Sequence, residues 1–458
     1  MAFSFDAPKR VPRPTPKPKN GPKPGPKLVP SGEPIELGDE DIIDVEAADN
    51  AVELGDADIE EVTPEEVSQI RKRNAPPPPP KPEKIKTREP VELQQKDIEP
   101  PFEVNGFEGL QVAATLEKKN VHKAGQKEEQ LNEDNVIADP ETGIIGAVDG
   151  LGSEGTKEAG ARASSVAAKE IPAAFKKASA EAKRQTIGDV AQQIVDRQLA
   201  RLNITDPAKR LAKQQELSAM FDSVIAKDPD MGRKALALIE AISRANEAVL
   251  ETGDEKTRGK TTACVGMIHQ GPDGTRYAIV ANIGDSVAFK RRANGEVVQL
   301  TQEDSLLNLM TSAGSITPEQ LAEMKAEPKK KIAFPISLEL VQAMGGSKKD
   351  YERFQSSGIT SLPLDYRTLK RAMTRSMGAD SAEASLTIRK MEKGDELIIG
   401  TDIFDNFENT NTEEMDLSRI AEAAGGEGTQ AERLGQLRKT AKGGPKDDDA
   451  AIVMARVI

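Results

Sequence analysis

A chain of 458 residues has room for two or more domains, or for one domain carrying a long extension. A formal net charge of −13 excludes the basic footprint that nucleic-acid binding requires, and a single cysteine, Cys264, excludes an intrachain disulfide framework. No run approaches the roughly 18 apolar residues of a membrane helix and the start, MAFSFDAPKRVPRP, lacks the apolar core of a signal peptide, so a soluble cytoplasmic protein is expected.

Residues 1–105 differ in composition from the rest. Met1 to Pro30 is a Lys/Pro/Gly tract that favours extended conformations and cannot bury a core. From Gly32 the charge inverts, and a short unit occurs twice, ELGDEDIIDV at Glu36 to Val45 and ELGDADIEEV at Glu53 to Val62. This stretch reads as a disordered acidic linker or as a pair of docking peptides for an unnamed partner. Pro76 to Pro80 form a stiff spacer, a candidate ligand for an aromatic-lined groove.

The pattern turns strand-like near Phe107, so a domain is expected over 106–458. Leu110 to Leu116 reads as its first strand. Asn135 to Ala138 and Ile144 to Val148 flank the turn Pro140-Glu141-Thr142-Gly143 and predict a hairpin. Glu133-Asp134 and Asp149-Gly150 fall at the outer ends of its two strands, and an antiparallel pair makes those ends neighbours. A helical region follows from Glu158 to Glu251, with Ala235, Leu238, Ile239, Ile242, Ala245 and Val249 on one apolar face. Pro172, Pro207 and Pro229 are expected to start or break helices. Strands are expected at Thr261 to Ile268, Arg276 to Ala281, Ser286 to Lys290 and Glu296 to Leu300. Residues Thr301 to Ala372 read as a long insertion or flap. Two further strands, Ser385 to Ile388 and Glu396 to Thr401, precede a closing one at Ala450 to Val457. Closely spaced strands with a helical block predict an α+β fold, two stacked antiparallel sheets with helices on the outer faces, preceded by the extension.

Acidic residues punctuate the strand-like runs at Asn132-Glu133-Asp134, Asp149, Thr401-Asp402 and Asp447-Asp448-Asp449. Carboxylates at strand ends can build an oxygen-rich site of the kind Mg²⁺ and Mn²⁺ prefer. Structural alternatives are a hairpin turn for Asp149, helix or turn caps for Asp285 and Asp402, and a solvated acidic run for Asp447 to Asp449. His122 and His269 form no cluster, which disfavours zinc chemistry.

In order and in residues, the region from Gln111 to Ile458 resembles the metal-dependent protein serine/threonine phosphatases of type 2C in their bacterial form. The resemblance rests on NED at Asn132 to Asp134, VDGLG at Val148 to Gly152 and GARAS at Gly160 to Ser164, followed by GKTTACV at Gly259 to Val265 and ANIGDS at Ala281 to Ser286. QLTQEDS at Gln299 to Ser305, TRSMG at Thr374 to Gly378, GDELIIGTD at Gly394 to Asp402 and DDAAIVM at Asp448 to Met454 complete it. It implies an α/β/β/α sandwich and hydrolysis of phosphoserine and phosphothreonine in a phosphoprotein substrate by a water activated between two Mn²⁺ or Mg²⁺ ions.

The resemblance also implies roles. Asp149 would bridge the two ions, with the Gly150 carbonyl on one of them. Glu133, Asp402 and Asp448 would hold the other, Asp134 would orient water, and Asp285 would join Asp402 at a third ion. Three departures stand out. Glu129 occupies the position where the family often carries a phosphate-gripping Arg, with Lys127 nearby as a point charge lacking the bidentate fork. Val287 and Ile403 replace an Arg and a Gly, and the segment Ser153 to Glu158 is about three residues longer than the usual turn. The metal cage is therefore expected intact and the phosphate grip altered, which keeps a second expectation open: a pseudophosphatase acting as a metal-binding interaction module.

Overall fold

The computed structural model describes residues 42–44, 101–117, 132–152, 157–202, 204, 207–254, 257–312, 314–343, 348–379, 382–409, 414–443 and 449–458. The expectations for the Pro-rich tract, for Lys127 and Glu129, for His122 and for Asp448 lie outside them, as does most of the acidic extension.

The strands and helices follow in chain order. They are β1 (Ile42–Asp44), β2 (Phe102–Val104), β3 (Leu110–Glu117), β4 (Asp134–Asp139) and β5 (Ile144–Leu151), then helices α1 (Lys157–Ala182), α2 (Ile187–Leu202), α3 (Pro207–Ile225) and α4 (Pro229–Leu250). Next come β6 (Lys260–Thr261), β7 (Ala263–Gln270), β8 (Arg276–Ile283), β9 (Val287–Arg291) and β10 (Val297–Gln299). The segment that follows holds α5 (Leu306–Ser312), α6 (Pro318–Ala326), β11 (Ile332–Pro335), α7 (Leu338–Ala343), α8 (Lys348–Ser356), β12 (Ser361–Leu364) and α9 (Tyr366–Arg371). The chain ends through β13 (Ser385–Met391), β14 (Glu396–Gly400), a 3₁₀ turn (Asp402–Phe407), α10 (Leu417–Ala424), α11 (Gln430–Lys442) and β15 (Ala450–Val457).

Two antiparallel sheets form the centre. One runs β1-β13-β8-β7-β5-β4, with β6 also paired to β5, and the other β10-β9-β14-β15-β3-β2. Period-two alternation along the strands divides the apolar residues into layers. On β5, Ile144 and Val148 join the core beneath α1 to α4, while Ile145 and Ala147 join the core between the sheets. On β15, Ala451 and Val453 face the other sheet, and Ile452 and Met454 pack beneath α10 and α11. The α/β/β/α order expected from sequence is thus the observed one, and both faces of β5 are covered.

The predicted apolar face of α4 is buried throughout. Pro207 and Pro229 open helices, where a missing N–H costs nothing. Pro172 instead lies inside α1. There the helix is held by its packing along β5 and α4, which outweighs one lost backbone bond. Phe102–Val104 adds an edge strand ahead of Phe107, pairing with β3 through Phe102↔Ala114. The segment from α5 to α9 builds a small core of its own around Leu306, Met324, Phe334, Leu362 and Leu369, with β11 and β12 paired as a ribbon. Among the described residues no helix is long and apolar enough to cross a membrane.

Candidate metal centre

Asp149 continues the alternation of Ile145 and Ala147, so it falls on the face of β5 that meets the second sheet, at the point where apolar packing ends. The β4–β5 register sets Asp134 directly opposite it, with the two carboxyl groups within hydrogen-bonding reach. Three further acids come to this end of the sandwich: Asp285 from the turn between β8 and β9, Asp402 from just beyond β14, and Asp449 from just before β15. Asp402 and Asp285 act electrostatically on Asp149, and Asp402 and Asp449 on Asp134. Asp134 and Asp149 are buried, at 3% and 9% exposure. Burial, and then these like charges, hold both carboxyls well above the usual range.

Neighbouring groups fix the acids in place. Thr401 Oγ1 donates to Asp134 Oδ2 at 2.8 Å and accepts from the Ala451 amide at 3.3 Å, so one hydroxyl ties β14 and β15 to β4. The Glu133 amide donates to Asp449 Oδ2 at 2.8 Å. The Gly150 amide donates to the Glu133 carbonyl at 2.9 Å, and the Asp149 carbonyl accepts from Thr262 N and Thr261 Oγ1 at 2.8 and 2.7 Å. Glycine is required at position 150 by space: a Cβ there would lie 2.3 Å from the Gly160 carbonyl oxygen and 2.6 Å from that of Glu133. Gly160 is constrained in turn, its hypothetical Cβ lying 2.4 Å from Glu133 Oε1. The start of α1 is thereby drawn tightly against the end of β5.

The Gly284-Asp285 turn has its own anchor. Gly284 has φ of 100°, a left-handed conformation that suits glycine. Its amide donates to Asp304 Oδ2 at 2.9 Å, and the Asp304 amide returns a bond to its carbonyl at 2.8 Å. Arg201 and Arg375 both donate to Asp304 Oδ1, at 3.0 and 2.9 Å. A buried acid carrying two guanidinium groups thus locks the turn to α2 and to the segment leading into β13.

A cavity of about 610 Å³ opens between the α5–α9 segment and the sandwich, lined among others by Glu303, Lys325, Tyr366, Lys370 and Thr387. Burial pushes the Glu303 carboxyl up to about 8, against the pull of Lys370 and with added repulsion from Asp405 and Asp285. His269 belongs elsewhere. It is buried with Nε2 2.7 Å from Asp228 Oδ2, and Lys234 Nζ lies 2.9 Å from its Nδ1. Donation by the lysine leaves Nε2 as the protonated nitrogen.

Of the residues named from sequence, the acids Glu133, Asp134, Asp149, Asp285 and Asp402, and Gly150, come to this end of the fold. Asp448 lies outside the described residues, and its neighbour Asp449 is the one found in the cluster. Its place was readable as the residue directly before the last apolar strand, on the same alternation as Ala451 and Val453. Thr401 and Asp304 were not singled out. The donors present are hard oxygens, suited to Mg²⁺ or Mn²⁺. Among the described residues no three His, Cys, Asp or Glu side chains form a metal cage by themselves. Ions that keep several of their waters need only one or two carboxylates each.

The two-sheet sandwich flanked by helices defines the class of fold. Solved structures similar to the chain include a PPM Ser-Thr phosphatase, MsPP, from Mycobacterium smegmatis, at 19% identity over 76% of this chain and 98% of that one, with a TM-score of 0.42. The serine/threonine phosphatase PstP/Ppp of Mycobacterium tuberculosis matches at 19% identity over 76% and 98%, with a TM-score of 0.41. A serine/threonine phosphatase of S. agalactiae matches at 16% identity over 76% and 100%, with a TM-score of 0.43. No family model matches the chain, and no curated protein does.

Proposed function

We propose that this chain is a metal-dependent phosphatase acting on phosphoserine and phosphothreonine in proteins. The observation that carries the reading is the convergence of Asp134, Asp149, Asp285, Asp402 and Asp449 at one end of the sandwich, two of them buried face to face. Buried like charges without compensation are costly, and bound cations are the ordinary remedy. Mn²⁺ or Mg²⁺ would be held by Asp149, the Gly150 carbonyl, Glu133, Asp402 and the Asp448-Asp449 pair, with Asp285 and Asp402 serving a third ion. Bound there, such ions would offset charge on phosphoryl oxygens and make water a better nucleophile.

In this reading the chain's own groups orient and exclude. Asp134, fixed by Thr401, accepts a hydrogen bond from the attacking water. Asp149 keeps its position because its carbonyl is tied to Thr261 and Thr262. Glu303, on the wall of the neighbouring cavity, feels the cluster through the charge of Asp285.

The test is hydrolysis of para-nitrophenyl phosphate and of a phosphothreonine peptide by the full chain, with and without Mn²⁺, alongside Asp149→Asn. Mn²⁺-dependent turnover that Asp149→Asn abolishes is expected, together with weakened Mn²⁺ binding measured by calorimetry. A parent chain that binds Mn²⁺ and hydrolyses neither substrate would point to a phosphatase fold used as a binding module. The presence of Glu129 where the family carries its phosphate-gripping Arg favours that second reading.

A further inference from the structure

We propose that the outer edge of β13 is a strand-addition site for the acidic repeat of the chain's own N-terminal extension, with the unit Glu36 to Val45 as its occupant. Within the sandwich β13 is bonded to β8 on one side, through Ser385↔Asn282 to Met391↔Arg276. Its other edge would present a row of main-chain donors and acceptors, a template for any extended segment. Along that edge runs β1, antiparallel, in the register Ile42↔Arg389, Ile43↔Ile388 and Asp44↔Thr387. Those three residues belong to the unit that the sequence repeats.

Charge and reach agree with this. The unit carries Asp39, Glu40, Asp41 and Asp44, whereas β13 (SLTIRKM) carries Arg389 and Lys390 and no acid. The sheet orders, with β3 stacked on β4 and β14 on β7, set β2 and β13 at opposite sides of the sandwich, about 24 Å apart at the usual strand spacing. The 57 residues from Val45 to Pro101 can reach up to about 190 Å.

Register also selects between the two units. Aligned on Glu-Leu-Gly-Asp, the second unit has Glu60 where the first has Ile43. That position stands opposite Ile388, which is 2% exposed in the apolar core beneath the helices. Directly opposed residues share a face, so in this register the first unit pairs isoleucine with isoleucine, and the second would pair an ionisable glutamate with it. The first unit is therefore the ligand, and the second is not interchangeable with it. This inference stands independently of the phosphatase reading.

Hydrogen exchange of the 385–391 peptide in the full chain tests it, comparing the parent with Ile43→Pro and Glu60→Pro. Proline lacks the N–H and cannot join a ladder. Exchange faster by roughly tenfold or more is expected for Ile43→Pro, and none for Glu60→Pro. A peptide of the sequence from Glu36 to Val45, added to the Ile43→Pro chain, restores protection, while the same peptide with Glu at the Ile43 position does not. Unchanged exchange in Ile43→Pro, equal acceleration in Glu60→Pro, or failure of the peptide at millimolar concentration each overturns the proposal.

Discussion

Asp134 and Asp149 lie fifteen residues apart in sequence and stand directly opposite each other in the β4–β5 ladder, their carboxyl groups within hydrogen-bonding reach. Two buried acids in that position cannot both ionise without a compensating charge. A bound cation would supply that charge, as the proposed function requires. Asp149→Asn replaces one of the two carboxyl groups with a neutral amide. The metal-free variant is expected to unfold at a higher temperature than the parent. Added Mn²⁺ should raise the parent's midpoint and leave the variant's nearly unmoved, as read by calorimetric melts.

Glu303 supplies a pH dependence. Its carboxyl stands at about 8 in the folded chain against an ordinary value of 4.5, so the native state binds this proton more tightly than the unfolded state. The associated stability is fully present below about 4.5 and is lost as pH rises through about 8. Glu303→Gln holds a neutral group at every pH. Its urea midpoint should therefore fall less between about pH 5 and about pH 9 than the parent's does.

Gly150→Ala forces a methyl group against two carbonyl oxygens, those of Gly160 in α1 and of Glu133 just before β4. Overpacking of this kind costs about 1–3 kcal/mol, and relaxation would separate Glu133 from Asp149. Lower stability in urea and weaker Mn²⁺ binding are expected together. Ser164→Ala serves as a comparison. It loses a buried hydrogen bond with Asn135 and should cost about 1 kcal/mol without altering Mn²⁺ affinity.

Asp304→Asn strips the charge that Arg201 and Arg375 share. Arg201 and Asp304 have side chains 6% and 1% exposed, and breaking a buried pair of this kind costs about 3–5 kcal/mol. The Gly284-Asp285 turn should loosen as well. Urea denaturation measures the first effect, and exchange of the Gly284 amide the second.

Most of the architecture could be read from the chain because its signals are local. Short apolar runs on either side of the Pro140 to Gly143 turn located the hairpin, a further apolar run located the closing strand, and the three-four spacing from Ala235 to Val249 located α4. Pro172 misled because its local cost is overridden by packing against β5 and α4, which a single segment does not reveal. The hairpin ends exposed the site, since an antiparallel turn alone makes Asp134 and Asp149 neighbours. Thr401 and Asp304 escaped notice because their partners are 267 and at least 71 residues distant along the chain, for Asp134 and for the two arginines. The separate core of the α5–α9 segment rests on scattered residues from Leu306 to Leu369, too irregular in spacing to announce itself.

The central claim is that this acidic cluster holds divalent cations at Asp149. Calorimetric titration of the full chain with Mn²⁺, beside Asp149→Asn, tests it most directly. The account predicts saturable binding of two ions by the parent and an affinity reduced by roughly a hundredfold or more in the variant. Equal affinity in the two chains would contradict it.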